Sequence, residues 1–467
     1  MPADLTEAVR SNARYLRNVR PVDPEEICEY VEGRPHPAVV RRTLREEAFD
    51  LGLREREDGA FVPVEPGPVV PDFDGVDRLP GRYERALTDA LAERYGPSWY
   101  EGDSGRRVRE TVGQLKSDYY RQHPVEYDAD VALAYAVYHL ADYYATTQYV
   151  LHELGRDGLL PRRLRVLDVG AGVGAPALGL HDYLDGEEAV VEYHAVEPSD
   201  AADVLETLLG ETGRDFHATV HRERAEAFSP DGAFDLVVFS NVLSELDDPT
   251  AVVESYLDAL AEDGTLAAVA PADRNTATNL REVERRVVRD GAATVYAPAV
   301  WLWPGDHPTD EGWSFDARPD LAVPAFQERL AAGAENPPAF RNTSVKFSYS
   351  LLRVDGRRRV ERALDRSEAA KLGAADAVVT DRVDLTVAKL SRDLSDGEGA
   401  NPVFKISDGS ESVSCYAVLV NETELNATLR RAGYGALLRV ENALVLWNDD
   451  EGSYNAVVDE ETVVDPA

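Results

Sequence analysis

Cysteine is nearly absent. The 467-residue chain has two, Cys28 and Cys415, too far apart in sequence for a disulfide framework or a metal-ligand spacing. Both are expected to be buried small hydrophobes. Lysine is almost as scarce: only Lys116, Lys346, Lys371, Lys389 and Lys405 occur, so arginine carries most of the positive charge. No run of about 18 apolar residues exists, which excludes a membrane-spanning helix. The first residues lack a basic start followed by an apolar stretch, so no secretory signal is expected and the chain is placed in the cytoplasm.

Positive charge as a whole is in deficit. Acidic side chains number 86 against 49 basic ones, a net charge of −37. Such a surface stays hydrated in strong salt, and the composition is expected of a halophilic protein. It does not exclude an RNA partner, because at about 1 M salt the Debye length is only about 3 Å.

Along the chain, residues 1–65 carry three helical patterns. Val9, Ala13 and Leu16 mark the first. Asp23-Pro24-Glu25-Glu26 opens the second as a cap, a first-turn proline and first-turn acids. Val39, Val40, Leu44, Ala48 and Leu51 mark the third, stopped by Gly52. A hairpin turning at Asp58-Gly59 follows. This order predicts a winged helix-turn-helix-like domain. Arg41, Arg42 and Arg45, with Arg10, Arg14, Arg17 and Arg20, are its candidate phosphate-facing surface. Residues 66–105 are expected to be a linker. Residues 106–360 are expected to form the main α/β domain, with a tyrosine-striped helix from Asp130 to Leu154 ahead of it.

The chemistry is concentrated after Leu164. A buried strand, Arg165 to Val169, carries Asp168, and Gly170, Ala171, Gly172 and Gly174 precede an apolar helix. Glycines there allow close backbone approach to a ligand, and the helix N-terminus presents N–H groups to it. A second strand ends on Glu197-Pro198, where an acid accepts ribose hydroxyls. The turn holding Ala225 and Glu226 is the expected adenine site. The acid-led strand and turn "FDLVVFSNVLSEL" (Phe234–Leu246) follow, a phrase typical of methyltransferases rather than dehydrogenases. The predicted fold is therefore a Rossmann-like S-adenosylmethionine methyltransferase core, with Ser240 and Asn241 also at the cofactor. Asn241 and Glu245 are the candidates to orient or deprotonate an acceptor, unless they cap the next helix. No cysteine near the site supports C5 methylation of pyrimidines.

Residues 380–464 read as five strands with a helix between the third and fourth, an OB-fold-like barrel. A hairpin through Asp408-Gly409 and a helix opening at Asn421 are expected. Phe404, Lys405, Tyr416, Arg439 and Trp447 are the candidate face for single-stranded nucleic acid.

"AYAVYHLADYYATTQYVLHEL" (Ala134–Leu154), "LRVLDVGAGVGAPALGL" (Leu164–Leu180), "FDLVVFSNVLSELDD" (Phe234–Asp248), "VYAPAVW" (Val295–Trp301) and "SVKFSYSLLRVDG" (Ser344–Gly356) together resemble the methyltransferase-like small-ribosomal-subunit assembly proteins. The resemblance covers roughly residues 110–355. It implies methylation of RNA, ribosomal RNA first, or contact with the small ribosomal subunit. The alternative it leaves open is an assembly or RNA-binding factor that keeps the cofactor fold with little chemistry. Many members of that family hold an iron–sulfur cluster on four cysteines. This chain has Ala299 after Pro298 and Trp313-Ser314-Phe315 without cysteine, and His307 alone cannot replace the set. No metal is therefore expected: the protein purified without oxygen should be colourless, and elemental analysis finding stoichiometric iron and sulfide would overturn that expectation.

Overall fold

The computed structural model describes all residues except 1–2, 307–311, 396 and 398, so His307 lies outside the described residues. The chain divides into two compact units. One holds residues 1–238 and 319–345, the other 239–318 and 346–467. The division falls within a single strand, Phe234–Ser240.

The first unit opens with α1 (Ala3–Leu16), α2 (Pro24–Tyr30), α3 (Pro37–Glu46) and α4 (Ala48–Leu51), then β1 (Leu53–Glu55) paired antiparallel with β2 (Phe61–Pro63). Asp23 caps α2 as expected, its side chain accepting from the Glu25 N–H at 2.9 Å. The third helical pattern is broken at Glu47 into α3 and α4, and Gly52 ends it at φ +59. Val9, Ala13, Ile27, Leu44 and Phe61 meet in one core. The arginines expected to face phosphate are largely engaged by acids. Arg45 grips the buried Glu55 through two bonds, Arg42 pairs with Glu46 at 2.8 Å, and Arg10 pairs with Glu47 at 2.7 Å. Packing the hairpin against α3 brings Glu55 between Arg41 and Arg45.

The stretch 66–105 is not a bare linker. It contains α5 (Gly81–Tyr95), whose Tyr83, Leu87 and Leu91 are buried, and Trp99 is fully buried after it. The proline-rich flank conceals a helix with its own apolar spacing. Then come α6 (Gly102–Arg121) and α7 (Ala129–Arg156), the latter capped by Asp128. The sheet of this unit has β3 (Arg163–Val169) beside β4 (Val190–Val196), and β4 beside β5 (Phe216–His221), all parallel. On the other side of β3 lies β6 (Phe234–Ser240), whose Asp235 accepts the Arg165 N–H at 2.7 Å. Helices α8 (Ala175–Tyr183) and α9 (Ala201–Leu209) connect these parallel strands. A short helix, Ala325–Ala332, completes the unit.

In the second unit, α10 (Pro249–Leu257) leads to β7 (Leu260–Pro271). After α11 (Arg274–Arg289) come β8 (Thr294–Ala297), β9 (Asp316–Arg318) and β10 (Val345–Arg353). β10 runs antiparallel between β7 and β8. The C-terminal strands are β11 (Arg382–Lys389), β12 (Val403–Ser407), β13 (Cys415–Leu419), β14 (Leu437–Asn448), β15 (Ser453–Val458) and β16 (Val463–Pro466). Their order is β11-β12-β13-β15-β14, and β14 pairs back with β11, closing a five-stranded barrel with β16 outside β14. β13 and β15 are parallel. The helix expected from Asn421 is only a turn, Thr428–Arg431. The hairpin expected through Asp408-Gly409 is present, with β12 and β13 paired antiparallel from Val403↔Val418 to Ile406↔Cys415. Asp408 is buried, and its carboxylate takes the Trp303 indole N–H at 2.6 Å and the Leu372 N–H at 2.9 Å. It anchors the connection between the two strands.

Arg281 is the polar hub of this unit. Nearly fully buried, it bonds the Tyr349 carbonyl at 2.6 Å, the Tyr434 hydroxyl at 3.1 Å and the buried Glu284 carboxylate. Removing one partner of a buried ion pair strands the other charge. Arg281→Met should therefore lower the unfolding free energy by about 3–5 kcal/mol in urea denaturation, and Arg281→Met combined with Glu284→Leu should recover most of it.

Candidate cofactor and methyl-transfer site

The site in the first unit is built at the carboxyl ends of β3 and β4. Parallel pairing sets Asp168 beside Ala195 and Val169 beside Val196. The chain then turns so that the Gly170 and Ala171 N–H groups both donate to the Val196 carbonyl, at 2.9 and 3.1 Å. Gly172 has φ +53, and a Cβ there would meet nothing within 4 Å, so its face opens onto free space. Gly174 has φ +92 for a different reason as well: a Cβ would lie 2.5 Å from Leu205 Cδ1 on α9. The first glycine leaves room for a ligand and the second permits close packing. No side chain caps α8, so its first turn is left to an anionic or polar ligand group.

Glu197 ties the loop to β4. Its Oε2 accepts the Gly172 N–H at 2.9 Å, and its Oε1 accepts from the Ser199 N–H at 3.0 Å and the Ser199 hydroxyl at 2.5 Å. A carboxylate offers about four acceptor positions. With three filled, one ribose hydroxyl is accommodated directly, and a second requires the Ser199 hydroxyl to rotate away. Ser199 was not among the sequence-derived site residues; its signal was its place two residues after the strand-ending acid. Pro198 lies between them. The turn containing Ala225 and Glu226 follows β5, whose His221 is in register with Val196, so it lies at the same end of the sheet.

Asp168 is completely buried. Its Oδ2 accepts the hydroxyl of the buried Tyr193 at 2.6 Å, while Oδ1 has no hydrogen-bond partner among the described residues. The cradle thus combines an open glycine face, a partly filled ribose acceptor and, beneath them, a buried carboxyl with one oxygen unpartnered among the described residues. This donor and acceptor set fits a nucleoside cofactor bearing an amino acid.

Residues 167–266 match a family described as a methyltransferase domain. This segment is a methyltransferase domain by that match. The two ends of the chain match one further family, a domain of unknown function (DUF8157): residues 6–57 its N-terminal domain and residues 373–467 its C-terminal domain. No curated protein sequence matches the chain. Among solved structures, an S-adenosylmethionine-dependent methyltransferase from Clostridium acetobutylicum is similar at 15% identity and TM-score 0.22, over 28% of this chain and 51% of that one. The plantazolicin methyltransferase BpumL in complex with SAH is similar at 10% identity and TM-score 0.31, over 58% of this chain and 98% of that one. A putative methyltransferase from Thermoplasma acidophilum is similar at 13% identity and TM-score 0.28, over 43% and 70%. The chain thus spans about half the length of the Clostridium protein.

Ser240, Asn241 and Glu245 belong to the second unit. Asn241 holds φ +61, an uncommon conformation for a side-chain-bearing residue. Its N–H donates to the Val269 carbonyl at 2.9 Å and its amide to the Ser240 hydroxyl at 3.2 Å. Glu245 is exposed in the single turn Leu243–Glu245. Neither caps α10. That role falls to Asp248, which accepts the Ala251 N–H at 3.1 Å. Among the described residues no cluster of three or more metal-ligating side chains occurs.

Burial pushes the Asp168 carboxyl up to about 7, with the Tyr193 hydroxyl opposing and the Glu197 charge reinforcing the rise. The folded protein therefore holds this proton more tightly than the unfolded chain does. The associated stability is present below about pH 4 and is lost as pH rises toward 7. Asp168→Asn keeps an acceptor for Tyr193 without the titration. Relative to this variant, the wild type should lose about 4 kcal/mol of unfolding free energy between pH 4 and pH 7, measured by denaturation of the ligand-free proteins.

Proposed function

We propose that this chain transfers a methyl group from S-adenosylmethionine to RNA, with ribosomal RNA during small-subunit assembly as the acceptor, and that its C-terminal barrel is an OB-fold that holds the strand. The observation that carries the proposal is the barrel itself. Five strands close on one another, the third and fifth are parallel, and a helical turn lies between the third and fourth. OB-folds use such barrels to bind oligonucleotides. Trp447, 41% exposed, packs edge-on against Tyr454 with ring centroids 4.8 Å apart. Tyr416 is half-buried, and Arg439 is exposed with its ion pair to Glu441. These supply stacking surfaces that survive strong salt. Phe404 and Lys405 leave the expected face because both are buried, Phe404 in the barrel core. The winged-helix-like reading of the N-terminal segment stays part of this proposal as a packing module. Its arginine–carboxylate pairs give it a lesser share of the grip.

The bound cofactor supplies a methyl group already activated on a sulfonium. Around it, Glu197 would receive a ribose hydroxyl and the Gly172 backbone would permit close approach, with the buried Asp168 and Tyr193 fixing the strand end beneath the loop. Alignment of the acceptor and exclusion of water supply the remaining acceleration.

The test uses the full chain purified in molar salt. Glu197→Ala should weaken S-adenosylmethionine binding about 10- to 100-fold in calorimetric titration, because charge-assisted hydrogen bonds are lost. Gly172→Asp should abolish it. Wild-type affinity in both variants would overturn the site assignment. Trp447→Ala should leave cofactor affinity unchanged and cost about 1–3 kcal/mol of affinity for ribosomal RNA in molar salt. Unchanged RNA affinity, or no labelled methyl transferred to that RNA, would overturn the RNA assignment.

A further inference from the structure

One titratable pair in the first unit has no part in the cofactor cradle. His139 and Asp142 lie one turn apart on α7. His139 Nδ1 is 3.4 Å from Asp142 Oδ2, which also accepts the Asn342 amide at 2.9 Å. Asp142 is buried, and its Oδ1 has no hydrogen-bond partner among the described residues. Asn342 is itself fixed: its amide also donates to the Tyr138 carbonyl at 3.1 Å, and its N–H donates to Gln327 Oε1 at 2.9 Å. Such an arrangement is costly for stability alone, because a buried carboxylate is left half satisfied. Burial pushes the Asp142 carboxyl up, while His139 and Asn342 pull it down.

The imidazole sits in an aromatic row. Tyr135, His139 and Tyr143 recur every four residues and share one face of α7. The His139 and Tyr143 rings stack at 4.8 Å and 5°, and Tyr135 lies 5.0 Å from His139. All three are half-buried, and the His139 side chain keeps 27% of its surface. Nδ1 faces both Asp142 and the Asn342 amide, each at 3.4 Å, and Nε2 is the nitrogen without a hydrogen-bond partner among the described residues.

The row lies level with the glycine loop. Near their C-terminal ends α7 and α8 touch, where a Cβ on Gly155 would lie 2.3 Å from the Tyr183 hydroxyl. Midway along α8, a Cβ on Gly179 would lie 2.8 Å from the Tyr144 carbonyl. The helices therefore run in the same direction. Moving back toward their starts brings residues 135–143 level with Gly174 and Ala175, where α8 leaves the loop. A second contact agrees. The Asp200 N–H, just after Glu197 and Ser199, donates to the Tyr127 carbonyl at 3.2 Å, and the Tyr127 ring packs on Tyr135 at 5.5 Å.

We infer that His139 is the proton acceptor of the methyl transfer, held by Asp142 as its positioning residue, and that its aromatic row receives a planar heteroaromatic acceptor bearing an N–H or O–H. The inference rests on the cofactor assignment above. The acceptor's lone pair forms the new bond to the methyl carbon as the sulfur–carbon bond breaks, and that electron pair returns to sulfur as a neutral thioether. The acceptor's proton passes to His139 Nε2, and the resulting imidazolium is compensated by Asp142. A nucleobase meets this description.

Carbethoxylation of the full chain by diethyl pyrocarbonate, read residue by residue by mass spectrometry, tests the placement. The cofactor probe is sinefungin, whose amine stands where the methyl would be. His139 should react in the free protein and, with sinefungin at ten times its Kd, should react about tenfold more slowly. The exposed His123 should be unaffected. Asp142→Asn should slow modification of His139 in the free protein, and Asp142→Glu should restore part of it, a pattern that mere packing would not produce. No reaction at His139, or an unchanged rate with sinefungin shown by calorimetry to be bound, would overturn the inference and leave the cofactor site intact. Absence of sinefungin binding would remove the cofactor site and the inference together.

Discussion

The bond from the Gly172 N–H to the Glu197 carboxylate, 2.9 Å long, holds the functional end of the first unit together. It joins the loop after β3 to the residue after β4, two segments that the parallel sheet already sets side by side. A buried carboxylate needs such donors, since burial without them would cost several kcal/mol. Glu197 therefore receives three protein donors and keeps about one acceptor position open. The same residue supports the loop and recognises the ligand. Its structural bonds limit what it can still accept, which makes the Ser199 hydroxyl the adjustable element.

Several of the buried carboxylates are managed by pairing, despite the excess of acid. Glu55, Glu284 and Asp130 are each buried or nearly so, and each is met by arginine. Arginine suits this role because its planar fork spans a carboxylate with two bonds and remains charged when desolvated. The cost is that clustered arginines in the sequence do not announce a phosphate site. Arg41, Arg42 and Arg45 read as a basic face until the hairpin folds over and delivers Glu55.

Much of the core was legible because its signals are local. The run ending at Asp168, the glycines after it and the strand ending at Glu197 each follow from short-range pattern, and pairing of parallel strands does the rest. What was not legible depends on neighbours far away in the sequence. Helix α5 lay hidden behind a proline-rich flank that promised only a linker. Phe404 and Lys405 looked like adjacent members of a binding face, yet the strand closes into a barrel that buries both. Asp408 looked like a turn residue, but its partners Trp303 and Leu372 come from remote segments. Ser199 acquires meaning only once the Glu197 side chain folds back on its own loop.

The tyrosine stripe shows why residue type alone could not separate packing from chemistry. On α7, Tyr144 and Tyr149 point into the core, and Tyr144 donates to Asp182 at 2.7 Å. Burial pushes its hydroxyl far above the usual tyrosine range, and the Asp182 charge adds to the rise, so it stays neutral at any working pH. Tyr135 and Tyr143 are half-buried on a face of the same helix turned away from Tyr144, with His139 between them. A helix of 28 residues beside a shorter α8 has turns to spare. Its second half meets α8 through the close approaches at Gly155 and Gly179, and that contact fixes its axis. Its first half is thereby carried past the start of α8, where the helix Ala325–Ala332 meets it through Gln327, which donates to the Val137 carbonyl at 2.9 Å. The row at Tyr135, His139 and Tyr143 is positioned by packing done elsewhere on the same rigid element, the way a precise site is built on a helix rather than on a loop.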